Sequence, residues 1–166
     1  MIVDCAHTGY RTTMETIEAS QSPVIISHTN ARELCDHPRC VWDDQIQACA
    51  AKGGVMGMTG LSGFLGEGGA TPKRLVDHID HVANLVGPQH VGLGLDYVYD
   101  LETFNTFVAK MPEKYPPDGG YLEMRQIEPE QAPRITEELL RRGYREEEIR
   151  GILGENWLGV CRDLWK

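Results

Sequence analysis

Pro23-Val-Ile-Ile-Ser-His28-Thr-Asn-Ala-Arg32 is the stretch on which the reading of this chain turns. Val24 to Ser27 is a short, β-branched, apolar run set off by Ser22-Pro23. Such a run suits a strand buried on both faces of a parallel sheet. It ends on His28. Upstream, Met1-Ile-Val-Asp-Cys-Ala6 has the same character and ends on His7. Between them Arg11 to Ser20 has helical content. One short strand–helix–strand unit therefore separates the two histidines, and their strands are expected to be neighbours, roughly 4.8 Å apart.

The alternation continues downstream. Asp43 is expected to N-cap a helix that runs to about Lys52 and stops at Gly53-Gly54. Val55 to Thr59 reads as a third strand, and Gly60 to Ala70 as a Gly-rich rim loop. Thr71-Pro72 opens a helix, with proline at its first position. Leu75, Val76, Ile79, Val82, Ala83 and Val86 give that helix an apolar face, and Gly87-Pro88 ends it. His90-Val-Gly-Leu-Gly-Leu95 is a fourth strand, ending at Asp96. Helical segments are expected at Leu101–Lys110, Pro129–Arg142, Glu146–Leu153 and from Glu155 onward, with a Pro/Gly-rich loop from Pro112 to Gly120. Four strands alternating with helices predict an α/β protein with a parallel sheet. A complete (β/α)8 barrel takes about 250 residues. A chain of 166 residues holds about half of one, or else an open four-stranded sheet.

Composition narrows the function. About 41% of residues are hydrophobic, and the formal net charge is −9. Without a basic patch interleaved with aromatics, neither nucleic acid nor an acidic membrane surface is an expected partner. No apolar run approaches the roughly 18–20 residues that cross a bilayer. The start of the chain lacks a signal-peptide pattern, so a cytoplasmic setting is expected. Five cysteines without a Cys-x-x-Cys argue against a disulfide framework or a zinc finger.

His7, His28 and Asp96 each close an apolar strand, where parallel α/β proteins build their sites. Two imidazoles on adjacent strands can converge on one ion. A carboxylate beside them can bind metal or exchange a proton with water. Strict alternation puts His28 on the face of Val24 and Ile26, and Asp96 on the face of Gly92 and Gly94, with room beside it. Taken singly, each residue has a bland reading as a loop residue or a cap. His78 and His81, on the apolar helix, read as structural, and His90 lies at the opposite end of its strand.

At these residues the chain resembles a known family. Asp4-Cys-Ala-His7, the Ser27-His-Thr-Asn-Ala-Arg32 segment with its Cys35-Asp-His-Pro-Arg39 continuation, and His90-Val-Gly-Leu-Gly-Leu-Asp96 resemble membrane (renal) dipeptidases. Ile152-Leu-Gly-Glu-Asn-Trp157 resembles their C-terminal helices. The resemblance covers nearly the whole chain apart from Tyr97 to Ile127. It implies the second half of a TIM-like (β/α)8 metallohydrolase barrel, with residues 1–166 forming one partial domain and a helical C-terminus. It implies a complete site with two zinc ions, one of them bound by His7 and His28. Arg39 would hold the substrate's terminal carboxylate, and Asp96 would be the catalytic proton shuttle. The implied reaction is zinc-assisted hydrolysis of dipeptides.

The departures are specific. The family's His-x-Asp pair and bridging glutamate have no counterpart, so the metal site is at most partial here. Tyr97-Val98-Tyr99 stands where many members have Phe-Asp-Gly. Cys40 replaces a common Asn, and Gly159 a common Arg. Open sheet edges predict self-association or pairing with a separate first half. A non-catalytic half-barrel or assembly subunit is the alternative to a dipeptidase. The motifs argue against an unrelated small α/β binding protein.

Overall fold

A parallel ladder needs a crossover between successive strands, and this chain supplies a helical one each time. The computed structural model describes residues 1–116 and 119–165. β1 (Val3–Asp4) leads through α1 (Tyr10–Ala19) to β2 (Val24–Thr29). α2 (Asp43–Ala51) leads on to β3 (Met56–Met58). α3 (Ser62–Leu65) and α4 (Pro72–Val86) then connect to β4 (Val91–Leu93). The strands lie in chain order, β1-β2-β3-β4, all parallel. α5 (Leu101–Ala109), α6 (Ala132–Arg141), α7 (Glu146–Arg150) and α8 (Asn156–Leu164) follow. This is the expected α/β class with four parallel strands. β1, β3 and β4 are shorter than expected, while β2 runs on through His28 to Thr29. Residues 117 and 118 of the Pro112–Gly120 loop, and the final position of the last helix, lie outside the described residues.

The core forms where the helices cover the sheet. Val24, Ile26, Met56, Met58 and Val91 are fully or almost fully buried, as are Leu75, Val76, Ile79 and Val82 of α4. Each such side chain contributes on the order of 1.5–3 kcal/mol by leaving water. The start of α4 follows its sequence signal, with Thr71 Oγ1 accepting the Arg74 N–H at 3.2 Å. α2 corrects its signal. Trp42, not Asp43, is the N-cap, because the Trp42 carbonyl already accepts the Ile46 N–H at 3.1 Å. Asp43 is instead free to pair with His81, at 2.7 Å.

α4 is also clamped from outside. Arg142, at the end of α6, donates to Asp77 at 2.7 Å and to Glu138 at 2.8 Å, and it also pairs with Asp80. The Tyr144 hydroxyl donates to Asp80 at 2.7 Å. At the C-terminal end, Gly154 bends the chain instead of stopping it. α7 runs through a π turn, Gly151–Glu155, into α8. Asn156 holds that turn to the sheet, donating to the carbonyls of Pro88 at 2.8 Å and Val91 at 2.7 Å. Among the described residues no helix is long and apolar enough to cross a membrane.

His78 is fully buried on α4. Its Nδ1 accepts the Ala31 N–H at 3.2 Å, and its Nε2–H donates to the Leu65 carbonyl at 3.2 Å. Burial first, and then Arg74, push its pKa down to about 4, against the opposing pull of the Leu65 carbonyl and Asp77. The unfolded chain therefore binds a proton that the native one refuses. Stability from this group is complete above pH ~6.5 and is lost as pH falls toward 4, with a loss of about 3 kcal/mol at most. Urea unfolding between pH 7 and 4 is expected to show this decline, and His78→Gln to flatten it.

Candidate functional site

β1 and β2 pair with Val3 opposite Val24 and Asp4 opposite Ile25. This register brings the ends of the two strands together. His7 and His28 meet there, with ring centroids 4.8 Å apart and Nε2 atoms at 2.7 Å. Asp96, beyond β4, approaches from the other side, its Oδ2 at 3.9 Å from His28 Nε2. Arg39 Nη2 lies 3.0 Å from His7 Nε2. The four residues singled out in the sequence thus share one rim.

The path by which His28 and Asp96 arrive differs from simple alternation. β2 changes register between Ile26 and Thr29, so His28 leaves the helix-covered face of Val24 and Ile26. Asp96 lies beyond the end of β4, past Gly94 and Leu95, and is not part of a continued strand. Nor do Gly92 and Gly94 leave space beside it. A Cβ at Gly92 would lie 2.2 Å from the Trp157 indole nitrogen, and one at Gly94 would lie 2.0 Å from the Ser27 carbonyl oxygen. The missing side chains admit other parts of the protein.

His7 and Asp96 adopt left-handed backbone conformations, with φ of 62° and 56°. This region is costly for residues with a Cβ, and such residues cluster at functional sites.

Several groups fix the cluster. Asp4 Oδ1 accepts the N–H of Ala6 at 2.9 Å and of Ser27 at 3.0 Å, and Oδ2 accepts the Ser27 hydroxyl at 2.6 Å. Burial raises the Asp4 pKa, but these hydrogen bonds outweigh it and hold the carboxyl below its usual value. Ser27 Oγ is also 2.9 Å from His28 Nδ1. Burial, then the Arg39 and His28 charges, hold His7 below the usual histidine value.

Arg39 is held by its own loop. His37 Nδ1 accepts the Arg39 N–H at 3.0 Å, while His37 Nε2 donates to the Gly119 carbonyl at 2.7 Å. Thr29 Oγ1 donates to the Arg39 carbonyl at 3.0 Å. The guanidinium lies 5.4 Å over the Phe64 ring. A small satellite core of Cys40, Leu61, Phe64 and Met124 supports this loop. A cavity lined by His7, Thr8, Tyr10, Arg32, Arg39 and Gln45 opens beside it. Asp4, Ser27 and His37 were not singled out in the sequence as site residues. All three stand inside the quoted motifs, and that adjacency was the available signal.

The cluster poses an electrostatic problem. Two imidazole Nε2 atoms face each other at 2.7 Å, and Arg39, which only donates, lies 3.0 Å from that of His7. A proton on one ring or a shared cation reconciles the pair. The chemistry of the donor set fits a borderline metal such as zinc, which takes imidazole nitrogen and carboxylate oxygen. It fits only as part of a site. Among the described residues no three His, Cys, Asp or Glu side chains gather closely enough to hold an ion.

Fold and cluster together define a parallel α/β protein with a histidine site at the C-terminal rim of its sheet. A family model for membrane dipeptidases, peptidase family M19, matches residues 1–113, and the chain belongs to that family. Dipeptidase 3 of Rattus norvegicus is 32% identical over 165 residues, covering 99% of this chain and 30% of that protein. An amidohydrolase from Pseudomonas aeruginosa superposes with a TM-score of 0.78 at 30% identity, covering 99% of this chain and 53% of that one. A metallopeptidase from Rhodobacter sphaeroides, liganded with a phosphinate mimic of L-Ala-D-Ala, shares the fold. It has a TM-score of 0.67 at 21% identity and covers 98% of this chain and 42% of that one. The chain thus spans about half, or less, of the length of these relatives.

The left-handed turn at Asp96 makes a stability prediction independent of chemistry. Asp96→Gly is expected to be more stable than Asp96→Ala by roughly 0.5–1 kcal/mol, since only the glycine escapes the Cβ penalty there. Urea midpoints of the two variants measure it, and the reverse order would contradict this backbone geometry.

Proposed function

We propose that this chain is the second half of a zinc-dependent dipeptidase barrel, a single partial domain over residues 1–166 that contributes part of the active site. The meeting of His7 Nε2 and His28 Nε2 at 2.7 Å carries the reading. His7 and His28 would hold one zinc ion, and a second ion would depend on residues that are not in this chain. The metal supplies Lewis-acid polarisation of the peptide carbonyl and an acidified water.

The chain's own residues do the rest. Arg39 presents a guanidinium fork that suits bidentate pairing with a dipeptide's terminal carboxylate. Its backbone is pinned by His37 and Thr29, so the fork is aimed before substrate arrives. Asp96 is close enough to the histidine pair to take a proton from water and return it to the leaving amine. The phosphinate-liganded relative supports a dipeptide as the substrate class. Five cysteines without disulfide partners support a reducing, cytoplasmic setting.

A second reading has its own observation. No three metal-ligating groups gather among the described residues, and the chain covers 53% of the amidohydrolase it resembles. A non-catalytic half-barrel or assembly subunit accounts for both. β1 and β4 are edge strands, and Val3 on β1 is exposed. Such edges favour pairing with a second copy or with a separate first half.

Mixing the chain with the first half of a structural relative, then measuring zinc content and dipeptide hydrolysis, separates the readings. The dipeptidase reading expects hydrolysis that His28→Ala abolishes. Arg39→Lys is expected to raise KM by about 10- to 100-fold, because charge without the fork loses a charge-assisted bond of roughly 1.5–3 kcal/mol. No zinc and no turnover in the complemented protein would favour the non-catalytic reading.

A further inference from the structure

We infer that Asp4 and Ser27 are positioning residues that fix His28 in the Nδ1–H tautomer and so present its Nε2 lone pair to the cation position shared with His7. The inference deepens the metal-site reading above and rests on it for its function, though not for its geometry.

The argument is a proton count along one chain of hydrogen bonds. Asp4 accepts three: from the N–H groups of Ala6 and Ser27 and from the Ser27 hydroxyl. A carboxylate so engaged stays an acceptor. A serine hydroxyl has one proton, and at 2.6 Å it is committed to Asp4 Oδ2. Ser27 Oγ, 2.9 Å from His28 Nδ1, can then only accept. The proton between them belongs to the imidazole.

The register explains why these residues meet. Asp4 is paired with Ile25, and its side chain reaches along β2 to Ser27, engaging both backbone and hydroxyl. Ser27 lies within the register shift between Ile26 and Thr29 that redirects His28. One carboxylate thus secures the irregular stretch of β2 and, through one hydroxyl, the tautomer of the histidine beyond it. Carboxylates behind metal-binding histidines commonly act this way, and losing one costs about 10–100-fold in metal affinity. Here the carboxylate acts at one remove, through a serine.

Nitrogen-15 NMR of the imidazoles in the metal-free chain near pH 7.5 tests the tautomer directly. His28 is expected to carry its proton on Nδ1 in the wild type. Ser27→Ala is expected to move it toward Nε2–H, and Ser27→Thr, which keeps the hydroxyl, to restore it. Zinc affinity, read by competition with a chromophoric chelator, is expected to fall about 10–100-fold in Ser27→Ala and Asp4→Asn and to recover in Ser27→Thr. Thermal melts by circular dichroism identify any variant that fails to fold, and the wild-type tautomer decides without one. An Nε2–H tautomer in the wild type would overturn the inference. So would a Ser27→Ala variant with unchanged tautomer and zinc affinity. If zinc fails to bind the wild type, the metal-site reading falls while the tautomer assignment stands or falls on its spectrum.

Discussion

The pairing of β1 with β2 in one register is the constraint on which the rest of the molecule depends. It is a short ladder, Val3 opposite Val24 and Asp4 opposite Ile25. Because side chains in a strand alternate, a slip of one residue would turn every side chain of β1 to the other face. Asp4 would lose Ser27, and His7 would leave His28. Two residue pairs are not enough to hold such a register by backbone hydrogen bonding alone. The Asp4 carboxylate reinforces it with bonds to both the backbone and the side chain of Ser27. The buried Cys5, Val24 and Ile26 anchor the same two strands from the helix side. Polar bonds at the rim and apolar burial below it therefore specify one alignment between them.

Elements governed by local chemistry were legible in the sequence. α4 begins at Pro72 and ends at Val86, between the Thr71-Pro72 and Gly87-Pro88 signals, because capping and proline geometry act within a few residues. The gathering of His7, His28 and Asp96 was legible too, since the ends of parallel strands share a rim, whereas Arg39, on a loop, was reached only through the family resemblance. Features set by distant partners were not. α3 lies inside the Gly-rich stretch, its Phe64 and Leu65 buried against other segments. Gly92 and Gly94 look like open space in the sequence, yet they are filled by Trp157 and by the Ser27 backbone. The register shift in β2 and the left-handed conformations at His7 and Asp96 leave no mark in an alternation pattern. His37 looks like a loop residue until the Gly119 carbonyl, far along the chain, meets its ring.

The two halves of the site are built on different physics. The histidine pair is held by polar bonds between strand ends. Arg39 is held by a loop that leans on aromatic packing, with His37 between Phe64 and Tyr121 at centroid distances of 4.8 and 5.2 Å. That loop sits on its own small apolar cluster, not on the main core. A change in the segment that carries Gly119 and Tyr121 can therefore shift Arg39 without touching the histidines. The Arg39 loop and the histidine pair are mechanically separable in this arrangement.

The same separation bears on how local the support of the histidine pair is. The polar contacts that orient His28 lie on β1 and β2, from Asp4 to Ser27 and from Ser27 to His28, while the register shift against β3 sets where His28 emerges. An aligned pair of imidazoles, two residues in left-handed conformations and an arginine beside them gather at one rim, and local costs of this kind persist only where the surrounding structure holds them in place.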